Sequence, residues 1–123
     1  MGRQFDSIAE TPQIVHLPDL PGVPCPCGVA RRAFENNDAF PGTVHLTEIA
    51  ESARPHYHSQ HTEVYVILEC EPNAQIELDG VLHSVTPLTS ILIPKGTKHR
   101  AVGTMKALIV STPNFDPDDE HFD

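Results

Sequence analysis

The sequence has few cations and no long apolar run, and each of these features excludes a class of partner. Eight Lys and Arg residues stand against seventeen Asp and Glu residues in a chain of 123, for a formal net charge of −9. Nucleic acids and anionic membranes bind clustered Lys and Arg, so neither is an expected partner. The apolar runs are only a few residues long, which excludes a transmembrane helix. A small molecule is therefore the expected partner.

A secretory signal and an even set of cysteines are also lacking. Residues 1–7 have no apolar core of the kind that targets a chain for export. The three cysteines are an odd number, which is a poor basis for a disulfide framework. We therefore expect reduced thiols and a cytoplasmic location. Cys25 and Cys27 are one residue apart, closer than the usual zinc spacing, so a structural role is favoured and a redox role is the alternative.

Long helical periodicity is lacking as well, and the best helical candidates are residues 5–10 and 31–36. Short segments with β-branched residues and strand-like alternation lie instead at 42–49, 63–68, 75–78, 90–93 and 107–110. Asp79-Gly80 predicts a tight hairpin turn before Val81 and Leu82. Many short strands at regular spacing predict an all-β sandwich or barrel.

Metal-ligating residue types occur at two places along this framework. His56 and His58 are two apart and share one face of an extended segment. Glu63 follows after a bend at 59–62 and starts a predicted strand. His99 comes shortly after Gly96, a residue suited to the turn predicted there. Imidazole and carboxylate are ligands of borderline divalent transition metals, so these four residues are candidates for one metal site.

The pattern His-x-His-x4-Glu followed by Pro-x-Gly-x2-His resembles the two signature motifs of the cupin superfamily, and the resemblance spans about residues 42–110. It implies an all-β antiparallel double-stranded β-helix, the jelly-roll barrel. The single domain, 1–123, would have an N-terminal arm at 1–41, a barrel core at 42–112 and an acidic tail at 113–123. The resemblance also implies that His56, His58, Glu63 and His99 bind Fe, Mn, Zn, Ni or Co, and that the protein is a homodimer.

Three positions depart from the cupin pattern. Cys70 and Leu88 stand where the motifs usually carry glycine, and Gly103 stands where asparagine is common. Such glycines serve turns rather than ligation, so the departures bear on loop shape more than on metal binding. Cys70 is expected to avoid left-handed backbone angles, or its loop has a different form.

Side chains near the ligands are candidates for the rest of a site. Tyr65 shares the face of the glutamate and, with His61, is a candidate acid or orienting group, although a polar loop role is favoured for His61. Arg100 and Lys98 flank the last histidine and are candidates for binding an anionic substrate. A charged strand edge that limits aggregation is an equal alternative for these two residues.

The acidic tail, residues 113–123, has two interpretations. Acidic runs of this kind are most often solvated, and surface pairing with Arg31 or Arg32 would contribute only about 0–1 kcal/mol. Phe115 and Phe122, however, give the tail apolar anchors, which favour docking on the barrel or on a partner subunit.

The leading functional hypothesis is a metal-dependent enzyme that acts on a small oxygen-rich organic molecule, with dioxygenase-type oxidoreductase or isomerase chemistry. A bound metal could activate dioxygen, polarise a carbonyl or lower the pKa of a bound water. One alternative is a ligand-binding or sensory cupin without turnover. Another is a metal-free barrel that resembles sugar epimerases.

Overall fold

In the computed structural model, which describes residues 11–50 and 53–122, the chain is built almost entirely from β-strands. Two short 3-10 helices, Leu17–Asp19 and Pro117–Asp119, lie near the ends of the described part. The strands are β1 Val23–Cys25, β2 Gly28–Ala33, β3 Thr43–Ile49, β4 Thr62–Cys70, β5 Gln75–Leu78, β6 Val81–Ser84, β7 Ser90–Ile93, β8 His99–Val102 and β9 Met105–Thr112.

The strands form two antiparallel sheets. One has six strands in the order β1-β2-β3-β9-β4-β7, and the other has three in the order β6-β5-β8. The expected all-β antiparallel architecture is therefore confirmed. Within residues 11–50 and 53–122, no helix has the length and apolar character needed to cross a membrane.

The strand predictions are largely confirmed. The predicted strands at 75–78 and 90–93 have the observed bounds, and those at 42–49, 63–68 and 107–110 correspond to β3, β4 and β9. Asp79 and Gly80 have φ of +48° and +87°, which is the left-handed geometry of the predicted hairpin turn. β4 contains the predicted alternation, because Glu63, Tyr65 and Ile67 are all buried on one face.

The helix predicted at 31–36 is wrong. Its first residues belong to β2, where Arg32 lies opposite His45 of β3. The sheet gives these residues a ladder of backbone hydrogen bonds, which overrides a weak helical preference. The other helical candidate, 5–10, lies outside the described residues. The segment expected to form an arm thus contributes β1 and β2 to the larger sheet.

The two sheets share one hydrophobic core. Ile67 and Ala107 from the larger sheet and Ile76 and Ala101 from the smaller one are at most 3% exposed and belong to the same cluster. The buried face of β4 changes along the strand from the apolar Ile67, through Tyr65, to the charged Glu63. The apolar core is therefore continuous with a buried polar region. This polar region contains the candidate site.

The positions that depart from the cupin pattern have different backbone geometries. Cys70 ends β4 and, as expected, is not among the residues with positive φ. Leu88 has a φ of +72°, a left-handed angle that suits glycine, and its side chain is 77% exposed. The leucine therefore carries backbone strain at a position where glycine would carry none.

Candidate metal centre

Backbone pairing brings the two histidine motifs together. The N–H of His56 donates to the carbonyl of His99 at 3.0 Å, and the N–H of His99 donates to the carbonyl of His56 at 2.8 Å. The N–H of Gly96 donates to the carbonyl of His58 at 2.6 Å. Gly96 has a φ of +86°, so the turn before β8 uses the backbone freedom of glycine. The Pro-x-Gly turn thus places His99 beside the first motif.

The three candidate histidine ligands have their ring orientation fixed in the same way. The Nδ1 atoms of His56, His58 and His99 lie 3.0, 3.0 and 2.9 Å from the carbonyl oxygens of Arg54, Asp119 and Thr97. A carbonyl oxygen only accepts, so each Nδ1 carries the proton and donates it. In the neutral ring the lone pair is then on Nε2, and a backbone partner on Nδ1 is typical of histidines that bind metal.

The three free ring nitrogens lie close together, and two of them approach the carboxylate of Glu63. His56, His58 and His99 can each offer one ligand atom within 4.8 Å of the others. Oε1 of Glu63 lies 3.4 Å from Nε2 of both His58 and His99. Oε1 of Glu63 and Nε2 of His99 are buried and have no hydrogen-bond partner among the described residues.

This donor set fits a divalent metal ion. Buried polar atoms without a partner are costly, and an ion between them would satisfy them together. Imidazole nitrogens with one carboxylate suit Fe, Mn, Zn, Ni or Co. These buried groups can therefore hold a metal ion.

Charge interactions within the cluster shift its protonation. Burial alone would raise the pKa of Glu63, but the contacts with His58 and His99 outweigh it and hold this pKa well below its usual range. Burial opposes protonation of His58, yet the neighbouring Glu63 carboxylate raises the pKa of this imidazole. Burial, together with the nearby His99, lowers the pKa of His56 to about 4.

The acidic tail docks on the barrel and holds the first motif. Tyr57 and His121 exchange two backbone hydrogen bonds of 3.0 Å. The Asp119 carboxylate accepts from the backbone N–H groups of Ser59 and Gln60, at 3.1 and 2.7 Å, and from the Ser59 hydroxyl. Asp119 is only 6% exposed. The interpretation of the tail as a solvated acidic run is therefore wrong. The alternative, in which the tail docks on the barrel, is what the structure shows.

The tail also brings a carboxylate that belongs to neither histidine motif. Oε2 of Glu120 lies 3.6 Å from Nε2 of His56, and the Glu120 side chain is 14% exposed. Burial, partly opposed by His58, raises the pKa of Glu120 above its ordinary value. Because Glu120 reaches the site only through the docking of the tail, no local motif could have revealed it.

A small cavity of about 30 Å³ lies beside the ligands. Its walls include Tyr65, Glu120, His45 and the cation Arg32. The Arg32 guanidinium lies 4.2 Å from the centroid of the Phe115 ring, and its buried Nε has no hydrogen-bond partner among the described residues. Arg32 is thus a cation at the cavity that has unused hydrogen-bonding capacity.

The two candidate catalytic residues lie in different surroundings. Tyr65 is 5% exposed, lines the cavity and presents its ring edge-on to His99, with centroids 5.9 Å apart. His61 is also buried but is not among the residues that line the cavity. Its Nε2 accepts from the backbone N–H of Asp116, and its Nδ1 lies 3.6 Å from Asp119. His61 therefore supports the docked tail, and with His58 and Asp119 it forms a second group that could hold an ion.

The two candidate substrate-binding residues do not line the cavity. Nε of Arg100 donates to Oε1 of Glu77 at 2.7 Å across the smaller sheet. The backbone N–H of Lys98 donates to the Asp79 carboxylate at 2.9 Å. Binding of an anionic substrate by Arg100 and Lys98 stays a prediction.

Comparisons with known proteins agree with this architecture. No family model matches the chain, and no curated protein matches it. The crystal structure of a protein from Planctomyces limnophilus is 42% identical, with a TM-score of 0.89 over 93% of this chain and 99% of that one. The Streptomyces protein Pac13, a nucleoside dehydratase, has a TM-score of 0.77 at 12% identity and covers 90% of each chain. Ectoine synthase from P. lautus has a TM-score of 0.73 at 18% identity, over 87% of this chain and 82% of that one.

The last two likenesses concern the fold alone, because their identities are low. The Planctomyces limnophilus protein is similar enough in sequence that this chain belongs to the same family as that protein. The fold is the cupin fold, and the two histidine motifs lie within it.

Proposed function

We propose that this cupin binds one divalent transition metal through His56, His58, Glu63 and His99 and acts on a small oxygen-rich organic anion beside it. The observation that carries the proposal is the grouping of the three histidine ligand atoms, two of which lie 3.4 Å from a buried Glu63 oxygen that lacks a hydrogen-bond partner among the described residues. Three neutral imidazoles and one carboxylate leave a divalent ion with a net positive charge. Such a centre favours a ligand with adjacent oxygen atoms.

A bound metal would supply Lewis-acid chemistry, or dioxygen chemistry in the case of Fe(II). The remaining work falls to side chains that line the cavity. The Arg32 guanidinium, whose Nε is without a partner among the described residues, can bind a carboxylate of the substrate. Glu120 lies close to His56 and has a raised pKa, so it can take up or release a proton there. Tyr65 can orient the substrate through its hydroxyl.

The cavity imposes a condition on substrate binding. A volume of about 30 Å³ holds an ion and a water molecule, but not an organic molecule of several carbons. Phe115 and Glu120 form part of its wall. Displacement of the tail would therefore have to accompany substrate binding.

The reaction type is proposed at the level of oxidoreductase or isomerase chemistry. The similar folds of a nucleoside dehydratase and an ectoine synthase agree with an enzyme but do not choose its reaction. A second candidate is a cupin that holds metal and ligand without turnover. The small cavity beneath a docked tail limits the access of a ligand as much as that of a substrate, so turnover has to be tested directly.

Metal content tests the first part of the proposal. Purified protein, loaded in turn with Fe, Mn, Zn, Ni and Co, should bind one equivalent of at least one of these metals by mass spectrometry. His58→Ala and His99→Ala should lose it, because each removes one nitrogen ligand. His83→Ala is the control, since His83 lies on the exposed strand β6. Full metal content in both ligand variants would refute the site, and a metal-free, fully active protein would favour the epimerase-like alternative.

Anion binding tests the second part. Oxalate, a small dianion with adjacent oxygens, should bind the metal-loaded protein in calorimetry, and Arg32→Gln should weaken it by about tenfold or more. Arg100→Gln is the matched variant, because Arg100 pairs with Glu77 away from the cavity. The opposite ranking of the two variants would favour the role predicted for Arg100.

We also propose that the protein is the homodimer that the cupin resemblance implies. Analytical ultracentrifugation of the purified protein should give the mass of a dimer, and the mass of a monomer would contradict this proposal.

A further inference from the structure

We propose that Cys25 and Cys27 form a redox-active dithiol, which a small-molecule disulfide oxidises reversibly to an intramolecular disulfide. The proposal does not depend on the metal site. Its basis is the geometry of the hairpin between β1 and β2, where both thiols are held together at the wall of the cavity.

The hairpin places the two sulfur atoms in contact. Cys25 ends β1 and lies opposite Gly28 of β2, with Pro26 and Cys27 in the turn between them. The Sγ atoms are 2.9 Å apart, and formation of a bond needs them to approach to about 2.05 Å. The two sulfur atoms therefore need to move closer by less than about 1 Å.

The tip of the hairpin is held by its neighbour in the sheet. A Cβ atom on Gly28 would lie 2.0 Å from the carbonyl oxygen of Glu48 on β3, so only glycine fits this approach. The backbone N–H of Ala50 donates to the carbonyl of Cys27 at 3.1 Å. The two thiols therefore meet on a supported backbone rather than on a free loop.

The surroundings distinguish the two sulfur atoms. The hydrogen bond from the Cys27 thiol, with backbone N–H groups and the Arg32 charge, lowers the pKa of Cys25 to about 6. The pKa of Cys27 is raised by its partner thiol and by burial. Cys25 thus suits the attacking thiolate and Cys27 the thiol that resolves the intermediate.

The exchange proceeds in two balanced steps. The Cys25 thiolate attacks one sulfur of the small disulfide, whose S–S bond breaks and releases one thiolate. The Cys27 thiol then loses its proton and attacks Cys25 in the mixed disulfide, which releases the second thiol. The dithiol loses two electrons and two protons, and the small disulfide gains them.

Metal binding explains the pair less well. Among the residues described, neither cysteine belongs to a group of three ligands that could hold an ion. Neither cysteine is fully buried. They also line the cavity with His56, so their oxidation would change the charge of one of its walls.

Glutathione disulfide is the probe for the test, applied to the full-length protein with a chelator present. Mass spectrometry should find the wild type lighter by two hydrogen atoms, without retained glutathione, and dithiothreitol should reverse the change. Peptide mapping should place the new bond between Cys25 and Cys27. Cys27→Ser should instead retain one glutathione on Cys25, because the resolving thiol is missing.

Cys70→Ser is the matched control, since Cys70 is also partly buried and lies at the far end of β4. It should behave as the wild type does. Wild-type protein can also be alkylated near neutral pH, which avoids any folding defect of a variant, and Cys25 should react at least about tenfold faster than Cys70. Stable glutathione adducts on the wild type, or equal alkylation of Cys25 and Cys70, would overturn the proposal.

Discussion

His56 and His99 donate a backbone hydrogen bond to each other, at 3.0 and 2.8 Å, and their ring centroids are 4.4 Å apart. This pairing joins the two cupin motifs at the start of β8. Because the backbone atoms fix the register, a slip by one residue would turn the His99 ring away from the cluster. The candidate metal centre therefore depends on the turn that precedes His99.

The turn glycine should matter for metal binding beyond its effect on stability. Gly96→Ala places a side chain at a φ of +86°, which costs about 1 kcal/mol, and it should also weaken metal binding by disturbing the register of His99. Gly80→Ala is the control, because Gly80 has a φ of +87° and equally open space around its Cβ position. Urea unfolding should give similar losses, whereas calorimetry should find weaker metal binding only for Gly96→Ala. Equal metal affinities would contradict this prediction.

Leu88 should be a position where glycine stabilises the protein. Its φ of +72° costs a leucine about 1–2 kcal/mol, and the side chain is 77% exposed, so Leu88→Gly removes strain and loses little burial. After the higher unfolded-state entropy of glycine is subtracted, a gain of up to about 1 kcal/mol is expected in urea unfolding. Leu92→Gly, at an exposed position within β7, should destabilise instead. A loss of stability in Leu88→Gly would contradict the assigned strain.

The Asp119 carboxylate should be the main anchor of the tail. In Asp119→Asn the amide group would face the backbone N–H of Ser59 or Gln60, donor against donor, in a site only 6% exposed. We expect a loss of about 1–3 kcal/mol in the free energy of unfolding. Asp118→Asn, with an exposed side chain in the same 3-10 helix, should change it little. Equal stability of the two variants would argue against this anchor.

His45 should make the metal-free protein sensitive to acid. Burial, with the charge of Arg32, lowers the pKa of His45 from 6.5 to about 4, so the unfolded chain takes up this proton first on acidification. The contribution is complete above pH 6.5 and is lost as the pH falls toward 4. In His45→Gln, unfolding free energy measured in urea with a chelator should fall less steeply over this interval, by up to about 1.4 kcal/mol per pH unit.

The hydrogen bond to Thr43 gives the reason for choosing glutamine. Nε2 of His45 lies 2.6 Å from the Thr43 hydroxyl, whose oxygen also accepts from the N–H of Phe115. The hydroxyl can donate to Nε2 or accept from it, and a glutamine amide, which has both an acceptor oxygen and a donor nitrogen, can keep this hydrogen bond in either direction. Parallel pH profiles of the wild type and the variant would refute the assigned titration.

Much of the fold could be predicted from local pattern. Alternation located β3, β4, β5, β7 and β9, and Asp79-Gly80 located a hairpin, because these signals depend on neighbouring residues. Local pattern does not indicate β1, β2 or β8, and it makes 31–36 a candidate helix although 31–33 belong to β2. β2 is a strand because β3 offers its backbone a hydrogen-bonding partner, and no local pattern records that partner.

The residues of the candidate site likewise fall into those that local pattern can place and those that it cannot. Tyr65 could be placed near the ligands from its parity with Glu63, and it does line the cavity. Glu120 and Arg32 could not, because they reach the cavity from the tail and from β2, a strand that no local pattern indicates. Likewise, the burial of His61 beside Asp119 follows from the docking of the tail.

By itself, the sequence determined the ligand types, their spacing and the strands that carry them, since alternation and turn geometry act over a few residues. Only the tertiary structure decided which other groups share the cavity and how the ligand rings are oriented. The carbonyls of Arg54 and Thr97 that hold His56 and His99 lie only two residues before these histidines, whereas the carbonyl of Asp119 that holds His58 comes from the tail. The contact from the tail, like the placement of Glu120, depends on which distant segments pack together, and the free energy of the whole fold determines that packing.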